Sequence, residues 1–285
     1  MVPAPPSPLP RLRSHGLSAP TGDEFRAAVR RAAGPDADAV WVRVCERVGV
    51  EPAASLLPVE RLEALADALS AEPGRIGTVG IALGVRTRSY RALAARPGGD
   101  EDGERSFDPG RRTLEKLLRN RPPSDDRMSE VAGLDLFSPE ARSRLDDAAR
   151  RAADRFGAAI GLVSIVLEDA QYFAGSHGLS GWLAEVQGTP VEWSFCATMV
   201  RTREPYVVPD ATGDVVQRAN PLVENDGVAF YAGVPLVTSR GQVIGSHCII
   251  GAPRDGFGEE DLAVLRQLAD EVVALLESTR PAPAP

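Results

Sequence analysis

Apolar positions along the chain fall into two patterns: stripes of period three to four, and short continuous runs. The clearest stripe is Leu145, Ala148, Ala149, Ala152, Ala153 and Phe156, which share one helical face. Ser138 stands where an N-cap belongs, Pro139 suits the first helical position, and Glu140 favours the positive end of the dipole. Gly157 ends that helix. Next comes Leu162-Val163-Ser164-Ile165-Val166-Leu167, too short and too β-branched for a helix, which reads as a buried central strand. Glu168 to Ala170 turns the chain, and Gln171 to Gly175 returns as its hairpin partner. Tyr206 to Pro209 and Phe230 to Val237 are further strands. Ser239-Arg240-Gly241 turns into Gln242 to Ile250, a second hairpin. A last helix spans Glu259 to Glu277, with Leu262, Leu265, Leu268, Ala269, Val272, Leu275 and Leu276 facing a core or a partner. Strands in this order, with helices at both ends, predict an α+β fold: an antiparallel sheet with flanking helices.

The first half reads as a small all-α domain over residues 23–96. Phe25, Ala28 and Val29 fit one helical face; Val40, Trp41, Val44, Cys45 and Val48 fit another, with Gly49 as the C-terminal cap. Leu62, Leu65, Ala66 and Leu69 form a third, entered at Pro58 and stopped by Glu72-Pro73-Gly74. Ahead of it, residues 1–22 are rich in proline and read as a disordered tail. Residues 97–130 read as a linker containing one short amphipathic helix, Arg111 to Arg119. Residues 131–280 hold the second domain.

Charge and cysteine usage narrow the function classes. The 285 residues carry 32 basic and 40 acidic side chains, a net charge of −8, so the whole chain has no electrostatic footprint for nucleic acid. The near-absence of lysine reads as codon usage. The 3 cysteines, Cys45, Cys196 and Cys248, are far apart and show no C-x-x-C pair, which argues for a reducing cytosol and against a zinc site. The N-terminus does not have a signal-peptide pattern, and no apolar run approaches the ~20 residues that span a bilayer. The expected location is cytoplasmic, without membrane association.

In order along the second half stand SFCATMVRTREPYVVPDATGD, RANPLV, FYAGVPLV and the glycine-marked hairpin GQVIGSHCII. In order and spacing these resemble the GAF domain family, over Ser138 to Thr279. The resemblance implies a sensory or regulatory module that binds a small molecule or mediates dimerisation. The excursion from Leu179 to Arg218 leaves the sheet and returns over one face, creating a concavity suited to a small ligand. Its expected lining is Trp182, Trp193, Phe195, Cys196, Met199, Val208, Phe230 and Tyr231, all of which also fit plain core positions. Asp210, Arg218 and His247 are polar candidates. Asp210 equally suits a turn, Arg218 a surface ion pair and His247 a satisfied core site. His247 and Cys248 adjoin in a strand, so at most one of them faces the concavity.

Three chemistries implied by the family fit poorly. Free-methionine-sulfoxide reductases need further cysteines, including one where this chain reads Asn220-Pro221-Leu222-Val223. Pigment attachment uses a different arrangement from His247-Cys248. The Asn-Lys-Phe-Asp elements of cyclic-nucleotide-binding GAF domains are absent. No cofactor is identified. The reading is therefore a non-enzymatic sensory protein that signals through its N-terminal helices or a partner signalling protein. The two long helices that bracket the second domain suit a homodimer. A rival reading concerns Val79 to Leu93, which resembles a helix-turn-helix with a turn at Gly84 and Arg86, Arg88 and Arg91 on the second helix, for contact with DNA.

Overall fold

The computed structural model describes residues 17–96, 125–278 and 280. The chain divides into two compact units, Met1–Glu104 and Arg105–Pro285. Most of the expected tail, the short helix at 111–119 and most of the expected linker lie outside the described residues. Residues 17–22, read from composition as the end of the tail, instead carry structure. Leu17 is buried, and Thr21 caps the first helix.

The first unit is helical. Its elements are α1 (Gly22–Ala33), α2 (Ala37–Val48), α3 (Val59–Ser70) and α4 (Arg75–Ala94). Helix α1 starts in a capping box: Thr21 accepts from the Glu24 amide, and the Glu24 carboxylate accepts from the Thr21 amide. Gly49 closes α2 in the left-handed conformation, φ 72°, where only glycine sits without strain. Phe25, Val29, Trp41, Val44, Leu62, Leu65, Leu69, Val79 and Leu83 form one core.

The helix-turn-helix expectation is corrected here. Helix α4 runs unbroken through Gly84, so the chain has no turn at that point and no separate recognition helix. The α4 glycines serve close packing instead. A Cβ on Gly80 would lie 2.2 Å from the Ser70 nitrogen, so α4 could not approach α3 as it does. Arg88 bonds Asp67 at 3.2 Å and Arg91 bonds Glu63 at 2.9 Å, so both guanidiniums are engaged by carboxylates of their own unit.

The second unit opens with α5 (Asp125–Ala132), which corrects the expected linker: residues 125–130 are helical. Met128 and Val131 are buried, and the Arg127 guanidinium donates to the Val166 carbonyl. Helix α6 (Pro139–Phe156) follows, capped by the Ser138 hydroxyl and closed by left-handed Gly157. The sheet contains β1 (Ile160–Val166), β2 (Ala170–His177), β3 (Gly188–Pro190), β4 (Tyr206–Val208), β5 (Phe230–Val237) and β6 (Val243–Gly251). Its order is β3-β2-β1-β6-β5-β4, with every pair antiparallel. The strand with the longest apolar run, β1, is accordingly central.

Helices α6 and α10 (Glu259–Ser278) pack on one face of the sheet and against each other. The close seat of α6 depends on Gly175 in β2, where a Cβ would stand 2.4 Å from the Leu145 backbone. The other face is covered by the excursion between β2 and β5. It carries α7 (Gly181–Val186), α8 (Cys196–Thr202) and the short α9 (Pro221–Glu224), and α8 packs on β6, β5, β1 and β4. Among the described residues no helix is long and apolar enough to cross a membrane.

Candidate functional site

Strand alternation decides which side chains meet beneath α8. In β5, Tyr231 and Gly233 point to this face and Phe230 to the other. In β6, Ser246 and Cys248 point here and His247 away. In β1, Ser164 pairs with Ser246, and Leu162 with Cys248, on the same side. Cys196, at the start of α8, descends onto this patch. Its Sγ lies 3.1 Å from the Tyr231 hydroxyl and 4.0 Å from the Cys248 Sγ. The Ser164 and Ser246 hydroxyls border the same thiol, and neither makes a hydrogen bond of normal geometry. Both serines are fully buried.

Gly233 leaves the space these groups occupy. A Cβ there would stand 2.6 Å from the Tyr231 oxygen, 2.9 Å from the Met199 methyl and 3.0 Å from the Cys248 Cβ.

Aromatic rings close the site. Phe195 stacks on Tyr231 with centroids 4.9 Å apart, and Tyr206 tilts against Tyr231 at 6.1 Å. Trp182 meets Trp193 edge-on at 6.1 Å. The Trp182 indole donates to Asp226 at 2.8 Å, which satisfies its one polar atom. Buried Asn220 ties the excursion together: its Nδ2 donates to the Trp193 carbonyl at 2.9 Å and to Gln217 at 3.0 Å, while its Oδ1 accepts from the Leu222 amide at 3.0 Å. Gln217 in turn donates to the Tyr206 hydroxyl at 3.1 Å.

Burial sets the electrostatics. It raises the Tyr231 and Tyr206 hydroxyls above the usual phenol range. For Cys196, burial acts to raise the thiol. Contacts with Cys248, Ser246, Tyr231 and Ser164 outweigh it, so Cys196 holds the more acidic thiol of the pair and Cys248 is pushed up. The patch around Cys196 is lined by thiols, hydroxyls and aromatic rings, and among the described residues no group of three or more His, Cys, Asp or Glu side chains could hold a metal ion.

The structure thus gathers Phe195, Cys196, Met199 and Val208 around Tyr231, pairs Trp182 with Trp193 beside them through Asn220, Gln217 and Tyr206, and separates four other candidates from both groups. Phe230 packs against Phe257, 5.7 Å away, on the opposite face. His247 is buried on that face too, beside the backbone of Ala148 in α6 and Leu268 in α10. Asp210 is exposed and closes a local turn, accepting from the Thr212 amide at 2.9 Å and from its hydroxyl at 2.6 Å. Arg218 is exposed on the 3-10 turn Gln217–Ala219. Sequence reasoning missed Ser164, Ser246 and Gln217. The two serines were discoverable as hydroxyls inside otherwise apolar strands.

Comparison with known proteins concerns the domain that holds this site. The family model described as GAF domain matches residues 140–276. A cyclic di-GMP phosphodiesterase of Pseudomonas aeruginosa is 34% identical over 162 residues, which cover 55% of this chain and 27% of that protein. The chain therefore matches only about a quarter of that relative's length. Among solved structures, the type II free methionine-R-sulfoxide reductase from Thermoplasma acidophilum is 17% identical with a TM-score of 0.42, covering 51% of this chain and 98% of its own. The GAF domain from an Acinetobacter phosphoenolpyruvate-protein phosphotransferase is also 17% identical with a TM-score of 0.42, covering 59% and 92%.

The expectation of a non-enzymatic chain is corrected by the first of these relatives. It is named as an enzyme, so an absence of enzymatic function does not follow from the sequence. The antiparallel sheet, with helices on one face and a roofed site on the other, joins the family match in one conclusion: residues 140–276 of this chain are a GAF domain.

Proposed function

We propose that this chain is a signalling protein of the cyclic di-GMP system, in which the GAF domain binds a small molecule beneath α8 and so regulates an enzymatic activity. One observation carries the binding half of this reading. Two fully buried hydroxyls, Ser164 and Ser246, border the Cys196 thiol without making a hydrogen bond of normal geometry, under an aromatic roof built from a separate chain excursion. Buried polar groups ordinarily find partners, and a bound molecule with donors and acceptors would supply them. The catalytic half rests on the relative named as a cyclic di-GMP phosphodiesterase.

Occupancy would be read out through α6 and α10, which pack on the far face of the same strands. Their receivers would be a second copy of this chain or a partner signalling protein. A surface groove between these helices, lined by Arg151, Asp154, Arg155, Val264, Gln267 and Leu268, offers a place for such a contact.

The reading is tested by expressing the full chain in a bacterium and measuring cellular cyclic di-GMP by mass spectrometry. It expects the level to differ from that of cells carrying an empty vector. Trp193→Ala, which strips the roof, is expected to alter that response. An unchanged level with well-expressed wild-type chain would remove the catalytic half.

A further inference from the structure

Cys196 and Cys248 come from different elements, α8 and β6, and meet at 4.0 Å inside the protein. Both are essentially without solvent exposure, and neither is bonded to another cysteine. Cys45, the other cysteine of the chain, belongs to the core of the first unit. Two thiols at that separation need a closure of only about 2 Å to reach the ~2.05 Å of a disulfide bond. Hydroxyls surround the pair: Tyr231, 3.1 Å from Cys196, can donate to its sulfur, the Tyr231 and Ser246 hydroxyls border both sulfurs, and Ser164 is set against Cys196. Hydroxyl donors stabilise a thiolate, the reactive form of cysteine.

We propose that Cys196 and Cys248 form a redox modification site, in which Cys196 is the nucleophile, Cys248 the resolving thiol and hydrogen peroxide the oxidant. This goes beyond the ligand reading above and does not depend on it. The Cys196 thiolate attacks one peroxide oxygen; an S–O bond forms, the O–O bond breaks, and the departing hydroxide takes up the proton lost by the thiol. Cys196 is then a sulfenic acid. The Cys248 sulfur attacks the Cys196 sulfur; the S–S bond forms, the S–O bond breaks, and hydroxide leaves with the Cys248 proton as a second water. The thiol pair has lost two electrons, and peroxide has become two waters. Hydrogen peroxide is close to water in size, so it needs only a small opening between α8 and the sheet.

The bond has a structural consequence. Drawing Cys196 toward β6 shifts the start of α8. Phe195, the neighbouring residue, stacks on Tyr231, and Trp193 lies two residues further back. Oxidation therefore re-shapes the roof of the site.

The test treats the folded full chain with hydrogen peroxide, quenches it, unfolds it, alkylates the remaining thiols and maps peptides by mass spectrometry. The expected product has lost the mass of two hydrogen atoms, links the Cys196 and Cys248 peptides, keeps Cys45 alkylated and is reversed by dithiothreitol. In Cys248→Ser, Cys196 is expected to accumulate as a sulfenic acid trapped by dimedone. In Cys196→Ser, Cys248 is expected to stay reduced. The wild-type result stands alone should a variant not fold. The proposal is overturned if Cys196 and Cys248 remain alkylated in wild type when added glutathione is fully oxidised. It is equally overturned if the link forms no faster in the folded chain than in urea, or if Cys45 is joined as readily.

Discussion

His247 and Cys248 are neighbours in β6 but face opposite sides of the sheet, and their environments differ accordingly. Burial pushes the His247 imidazole down to about 4, and the Arg151 charge acts in the same direction. A histidine whose folded pKa is depressed binds fewer protons than the unfolded chain between the two values. Its contribution to stability is therefore fully present above about 6.5 and is lost as pH falls toward about 4. Replacing it with leucine removes that dependence. The stability difference between wild type and His247→Leu, followed by urea unfolding from pH 7 to pH 4, is expected to move against wild type by up to ~1.4 kcal/mol per pH unit. Parallel curves would show that His247 is not held neutral. On the other face, Gly233→Ala places a methyl within 3.0 Å of Tyr231, Met199 and Cys248. Overpacking of this kind costs about 1–3 kcal/mol, which urea unfolding would detect.

At the scale of elements, the excursion between β2 and β5 is fastened by Asn220 more than by regular structure. Asn220→Ala removes three hydrogen bonds and leaves the Trp193 carbonyl without its Asn220 donor. The expected loss is ~2–3 kcal/mol in thermal or urea unfolding, from bonds worth about 1 kcal/mol each; a loss near zero would mean the excursion is held otherwise. Sequence periodicity located the regular elements well where a face is one-sided. The α6 stripe and the β5 run appear at the residues expected, because one period fits each buried face. It failed at α4, where Gly84 read as a turn but lies inside one unbroken helix, and where Gly80 allows the close approach of α3. Local spacing does not report how near another helix lies. It also missed the start of α1, although Thr21 and Glu24 carry the capping-box spacing. Within the site, the aromatic members were legible as large apolar residues of one excursion. The faces of Phe230 and His247 depended on strand phase, and the roles of Ser164 and Ser246 on cross-strand register, which no single segment encodes.

At the scale of the whole molecule, the GAF domain places two kinds of chemistry on the two faces of one sheet. Helices α6 and α10 cover His247 on one side, and the aromatic roof covers two thiols and three hydroxyls on the other. A molecule bound beneath α8 would displace strands that also carry the α6–α10 pair, which links occupancy to the helices. That account stands or falls on binding. The direct measurement is the melting temperature of the full chain against a defined panel of free amino acids, purine nucleotides and cyclic di-GMP, with Ser164→Ala/Ser246→Ala alongside. Saturation at a hundred times Kd stabilises the folded state by about 2.7 kcal/mol, and each kcal/mol raises the midpoint by roughly 2–4 °C in a unit of this size. The account predicts a rise of about 5–10 °C with at least one member of the panel, reduced in the double variant. A wild-type midpoint unmoved by every member, or a rise undiminished in the double variant, would contradict it.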